Sequence, residues 1–226
     1  MRPSIVAEQA PLAHLDPVER FRSGLDAAER ALFDGLASPA EVQAWLDSIP
    51  YSVDPFYRSP RRVLRERRAH CFDGAVFAAA ALRRLGWPPL LVDLYAERDD
   101  DHVLAIWQRD GCWGAVAKSN FAGLRFREPV YQSLRELAMS YFEDFYNVER
   151  EKTLRGLTLP LDLTQLDALG WMADDDALEQ VAQRLDAVDR TPLLTPRMIA
   201  GLEPLDARSY ESGLLGTDHA GLYRPR

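Results

Sequence analysis

Two cysteines and four histidines are all that a chain of 226 residues offers to disulfide or metal chemistry, and they fall at no paired spacing. A structural zinc site draws its ligands from closely spaced pairs, so zinc is not expected, and no cofactor is implied. Long apolar runs are missing as well. No segment approaches the roughly 20 residues that span a bilayer, and the N-terminus lacks a charged-then-apolar leader pattern. The expectation is a cytoplasmic, thiol-reducing location with no membrane contact. An excess of positive charge is also absent. The formal net charge is −8, from 35 acidic and 27 basic residues, which opposes binding to a phosphate backbone. No internal repeat is visible.

What is present suits a folded domain. Hydrophobic residues make up 47% of the chain, enough to bury a sizeable core. Residues 1–15 read as an arm. Asp16-Pro17-Val18-Glu19 and Ser38-Pro39-Ala40-Glu41 read as helix starts, which makes residues 1–50 a helical segment. The Pro- and aromatic-rich stretch 50–60 reads as a packed loop. The arginines from Arg58 to Arg68 form either a solvated helix face or a rim that attracts anions. Phe72 to Leu82 is a run of small and apolar residues that stops at Leu85-Gly86 before Pro88, the signature of a buried helix. Leu90–Ala96, His102–Gln108 and Cys112–Lys118 read as strands, the last two joined by an Asp110-Gly111 hairpin turn. Another helix is predicted from Ser133 to about Tyr146, an acidic one over 174–188, and a short one at Thr195-Pro196. An extended tail is expected over the final twenty-odd residues. The expected division is a helical segment over 1–50, a core over 51–155, and a C-terminal appendage over 156–226.

Cys71 opens the buried helix. Unpaired N–H groups and the helix dipole favour a thiolate at that position. His102 opens the second strand, where an imidazole can complete a Cys–His nucleophile pair. The neighbouring His70 is a poor base, because adjacent helical residues point about 100° apart. Cys71 with Ala75, Ala78, Ala79 and Leu82, then Leu85-Gly86-Trp87-Pro88, His102 with Ile106, and Asp110-Gly111-Cys112-Trp113 together resemble the transglutaminase-like branch of the papain-like cysteine enzymes. The resemblance covers about residues 60–120. It implies an α+β fold, a Cys-bearing helix packed on an antiparallel sheet, with helical additions at both ends.

The family pattern places an orienting Asp about four residues after the Trp, where this chain has Ala117. Asn120 is the available substitute, since papain-like relatives use a Cys-His-Asn set. A two-residue turn at Asp110-Gly111, however, pairs His102 with Ser119 and puts Asn120 on the alternate face. The resemblance therefore implies Cys71 as nucleophile, His102 as base and acid, and Asn120 as orienter. The Cys71 N–H and one of Tyr51, Tyr57 or His70 would stabilise an oxyanion. Lys118, an isolated charge in a small and apolar stretch, either binds a substrate carboxylate or points to solvent. Tyr57 and Trp113 are further substrate-binding candidates. Two functions follow: a cysteine-dependent amide hydrolase or acyltransferase acting on a peptide or small amide, or an inactive module of the same fold that binds a partner. A redox role through a Cys71–Cys112 disulfide is the third. Oligomeric state is not encoded in any of these features.

Overall fold

The structure, a computed structural model, describes residues 16–225; the expected arm over 1–15 lies outside them. Three short helices come first, α1 (Pro17–Ser23), α2 (Ala27–Gly35) and α3 (Pro39–Ser48). Asp16 and Ser38 cap α1 and α3 with side-chain oxygens, as their sequences predict. After α4 (Pro60–Glu66) comes the central helix α5 (Cys71–Arg84). Every residue of α5 from Phe72 to Leu82 is buried. That explains its composition: alanines let the backbone approach a sheet on one side and other helices on the other, and Phe77 fills the gap between them. The Phe77 ring meets Phe33 at 6.2 Å and Trp45 at 4.5 Å.

One antiparallel sheet carries the rest. Its strands are β1 (Leu90–Ala96), β2 (His102–Arg109), β3 (Cys112–Val116), β4 (Arg127–Tyr131), β5 (Leu154–Thr158), β6 (Leu161–Asp162) and β7 (Arg190–Pro192). The order is β4-β3-β2-β1-β5-β7, with β6 also paired to β1. The β2–β3 turn has Asp110 at φ 52° and Gly111 at φ 80°, the left-handed pair that a two-residue hairpin requires. Alternation along β2 separates two apolar layers. Val103, Ala105 and Trp107 pack under α5, while Leu104 and Ile106 face Leu124, Leu137 and Phe145. This is the α+β architecture that the resemblance implies.

Several expectations change. The helix predicted from Ser133 to Tyr146 stops at Met139 (α6, Leu134–Met139). The Ser140 hydroxyl donates back to the Leu137 carbonyl at 2.6 Å, and Arg127 takes the Ser140 carbonyl at 3.0 Å, diverting the next turn. The boundary expected at 155/156 falls inside β5, so the C-terminal region completes the sheet before forming α7 (Asp176–Asp186) and α8 (Pro196–Ala200). The expected extended tail contains a further helix, α9 (Ala207–Gly213).

Part of the Arg58–Arg68 stretch and Lys118 are structural, whereas Arg65, Arg67 and Arg68 are exposed, as a solvated helix face requires. Arg58 is buried, its guanidinium shared among Ser52, Asp54 and Glu66, with the Asp73 carboxylate at 3.7 Å. Arg62 and Arg65 pair with Asp175 and Glu29. Lys118 neither reaches solvent nor faces a cleft. It is 5% exposed, and its ammonium donates to the carbonyls of Leu46 at 2.8 Å and Ile49 at 2.6 Å. The Leu46 carbonyl also accepts the Ile49 N–H at 3.4 Å where α3 ends, and the helix dipole favours a cation there. Burial lowers the Lys118 pKa to about 8, against the pull of Asp47. Its stem lies so close to α5 that a Cβ on Gly74 would stand 2.2 Å from the Lys118 Cβ.

Candidate active site

His70 is the residue before α5, and its Nδ1 accepts the N–H of Phe72 at 3.1 Å and of Asp73 at 3.4 Å. The Asp73 carboxylate returns a bond to the His70 N–H at 3.4 Å and accepts the Arg58 N–H at 2.8 Å. An imidazole that accepts two N–H groups must be neutral at that nitrogen, and burial holds its pKa at about 4. This cap fixes the first turn of α5 and with it Cys71. The bridge Tyr51↔Ala69 runs alongside, with Ser52 N–H on the Ala69 carbonyl at 3.0 Å. It brings Tyr51 beside Cys71, and both line the same cavities.

The Cys71 thiol is half-buried and meets the start of β2. It donates to the Asp101 carbonyl at 3.9 Å, and the Val103 N–H points at the sulfur. These two backbone groups flank His102. The imidazole itself stands on the sheet face of Leu104 and Ile106, its ring 6.3 Å from that of Phe145. Its Nε2 donates to the Leu124 carbonyl at 2.8 Å, which leaves Nδ1 as the acceptor nitrogen. Cys71 and His102 both line a small cavity of about 50 Å³ at the end of the sheet. Both residues border this cavity, but the thiol's hydrogen bond goes to a carbonyl and not to the ring.

Both groups are uncharged at rest. Burial pushes the Cys71 thiol up to about 12; the Val103 N–H opposes this, and the charges of Asp93, Asp100 and Asp73 add to it. Burial lowers His102 to about 4, with the Leu124 carbonyl opposing and Arg127 assisting. Desolvation disfavours the charged form of each partner, so the thiolate–imidazolium pair is the unstable arrangement here.

A larger cleft of about 470 Å³ opens on the other side of Cys71, lined by Tyr51, Tyr57, His70 and Phe72 on one wall and by Asp93, Asp100, Asp101 and Asp186 on another. Tyr57 thus does face the cleft, its ring 4.6 Å from that of Phe72. Trp113 does not: it pairs with Gln108 and Tyr131 and packs on the opposite apolar layer. Cys112, paired with Arg109 at the hairpin, is likewise away from Cys71, and both thiols are free. Ala117 is buried among apolar residues, with its backbone N–H and C=O both held by the Gln43 side chain at 3.0 and 2.9 Å. Asn120, expected to orient His102, binds the C-terminal segment instead. What holds the His102 ring is a backbone carbonyl, that of Leu124.

Sequence reasoning missed Asp93 and the C-terminal segment. Asp93 is 4% exposed, with Oδ1 lacking a hydrogen-bond partner, and burial together with the Asp101 charge raises its pKa to about 7. Its signal was available as a lone acid in the strand Leu-Leu-Val-Asp-Leu. Among the described residues no group of three potential ligands could hold a metal ion, and no helix is long and apolar enough to cross a membrane.

No family model matches the chain, and no curated protein matches it. Two solved structures of Legionella pneumophila LapG are similar to it. One is 16% identical with a TM-score of 0.34, covering 56% of this chain and 96% of that one. The other, EGTA-treated, is 15% identical with a TM-score of 0.41, covering 74% and 98%. Likeness at this level carries neither activity nor ligand across.

Proposed function

We propose that the chain is a transglutaminase-like cysteine enzyme that cleaves or transfers an amide, held here in a resting form with a protonated thiol. The observation that supports this best is the seating of Cys71: its sulfur lies against the backbone on either side of His102, at the first position of α5. His102 Nδ1 is the nitrogen free to take the thiol proton, because Nε2 is committed to the Leu124 carbonyl. In the reaction the Cys71 sulfur attacks the amide carbon as its proton passes to His102, and His102 then protonates the leaving nitrogen. The Cys71 N–H and the Tyr51 hydroxyl are the donors this reading assigns to the oxyanion. Water or an amine would then release the acyl group.

One observation favours the second reading, an inactive binding module. Burial drives thiol and imidazole apart in acidity, to about 12 and about 4, and so opposes the ion pair. A peptidyl acyloxymethyl ketone, which reports a working dyad more than a resting thiol, separates the two. At pH 7 the enzyme reading expects covalent labelling of Cys71 that Cys112→Ser does not change. His102→Ala should slow it by about 100-fold or more. Labelling of equal rate in His102→Ala, or none at Cys71, selects the binding module.

A further inference from the structure

The segment Thr217–Tyr223 borders the cleft, with Ala220, Gly221, Leu222 and Tyr223 on its lining. Asp218 is extended, at φ −80° and ψ 107°. Its carbonyl accepts the Asn120 Nδ2 at 2.8 Å, and its N–H donates to Asn120 Oδ1 at 2.9 Å. The Thr217 hydroxyl adds a bond to the Asn120 carbonyl at 2.7 Å. Neither of the paired bonds uses the Asp218 side chain, which is spent on the N–H of Ala220 at 3.0 Å. Three residues on, Gly221 lies where a Cβ would come within 3.0 Å of Val53, 3.1 Å of Asn120 and 3.2 Å of Tyr51. Gly221 and Tyr223 line both the 470 Å³ cleft and the small cavity shared by Cys71 and His102.

We propose that Asn120 is a backbone-reading subsite of the Cys71 cleft, built to hold one extended residue of a polypeptide ligand, and that the chain's own segment Thr217–Tyr223 occupies it in the ligand's place. The inference rests on the reading of the Cys71 cleft as a site for an amide-bearing ligand, and it narrows that ligand to a polypeptide. A primary amide presents one donor and one acceptor at the spacing of a residue's own C=O and N–H, so it recognises main chain without regard to side chain. This fold already uses the device once, where Gln43 grips both backbone groups of Ala117. Gln43 is buried and holds an internal strand end, whereas Asn120 is partly exposed and lines the small cavity that Cys71 and His102 share. Within the segment it holds, the turn His219–Gly221 has no buried residue. A strap of that kind can leave, and an incoming chain inherits its hydrogen bonds.

Two measurements on the full chain test this. In Asn120→Ala the amide hydrogens of residues 217–223 should exchange about 30-fold faster, the product of two ordinary hydrogen bonds lost. In Gly221→Val, whose added side chain meets Val53, Tyr51 and Asn120, the strap is displaced with Asn120 intact. A fluorescein-labelled peptide of residues 217–223 should then bind by anisotropy. The same peptide N-methylated at its Asp nitrogen should bind at least about tenfold more weakly, as should the unmodified peptide to Asn120→Ala/Gly221→Val. A peptide with Asp replaced by Asn should bind within about threefold. Equal affinity for the N-methylated peptide, unchanged binding after Asn120→Ala, or unaltered exchange of 217–223 would overturn the proposal. These readouts need no turnover. In Gly221→Val, peptide binding without Cys71 labelling would sink the enzyme reading alone, and labelling without peptide binding would sink this one alone.

Discussion

Replacing Asp93 by asparagine should change stability in alkaline solution and leave it nearly untouched in acid. The carboxyl sits on β1 beside Cys71, with an oxygen that has no partner and Asp101 as its charged neighbour. Its pKa rises from 3.8 to about 7 in the fold, because burial penalises the anion before Asp101 repels it. In the unfolded chain it returns to the ordinary value. Between about pH 4 and pH 7 the folded protein therefore keeps a proton that the unfolded chain has released. The stability tied to this proton is fully present below pH 4 and is lost as pH rises through 7. Three pKa units correspond to about 4 kcal/mol at most, and local relaxation reduces that. Asparagine keeps the shape and cannot ionise. Urea unfolding should show Asp93→Asn more stable than the parent by about 2–4 kcal/mol at pH 8.5, and within about 1 kcal/mol of it at pH 4.5. A gain of the same size at both values, or a loss at pH 8.5, would refute the argument that desolvation of a buried anion sets this group's behaviour.

Arg58→Met should destabilise the fold by about 3–5 kcal/mol, since it strips the guanidinium from Ser52, Asp54 and Glu66 and leaves Asp73 buried with less compensation; thermal unfolding checks it, and a loss under 1 kcal/mol contradicts it. Lys118→Met removes two bonds to the end of α3 and should cost about 2–3 kcal/mol. Hydrogen exchange in that variant should rise first at residues near Ile49, and exchange that rises uniformly would speak against a local pin.

The parts of the fold legible in the sequence are those with local causes. Helix α5 carries its own small-residue core and its own Gly-Pro stop, while its cap is His70, a residue type that does not announce one. The β2–β3 hairpin carries its turn in Asp110-Gly111, and the pairing that this turn dictates holds along the ladder from Arg109↔Cys112 to Ala105↔Val116. Strands β6 and β7, of two and three residues, are too short for alternation to register. The site divides in the same way. Position on α5 and β2 exposes Cys71 and His102 as candidates. The group that holds His102 is a backbone carbonyl, which any residue type at 124 supplies. Asn120 and its partner Asp218 are 98 positions apart, with nothing local to either that names the other. Lys118 did stand out as a charge among small residues, but its meaning depends on carbonyls 69 and 72 positions earlier.

The contact between Gly74 and Lys118 also constrains the history open to this chain. A single methyl group at position 74 would stand 2.2 Å from the Cβ at position 118. Every residue but glycine carries that Cβ, so replacing the lysine would release the end of α3 without making room for alanine in α5. The close approach of β3's end to α5 is therefore a constraint of backbone on backbone, which no exchange of one ordinary side chain for another at 118 relieves. Glycine inside a buried helix is a weak choice in isolation. Here it is the choice that a neighbour fixed in advance.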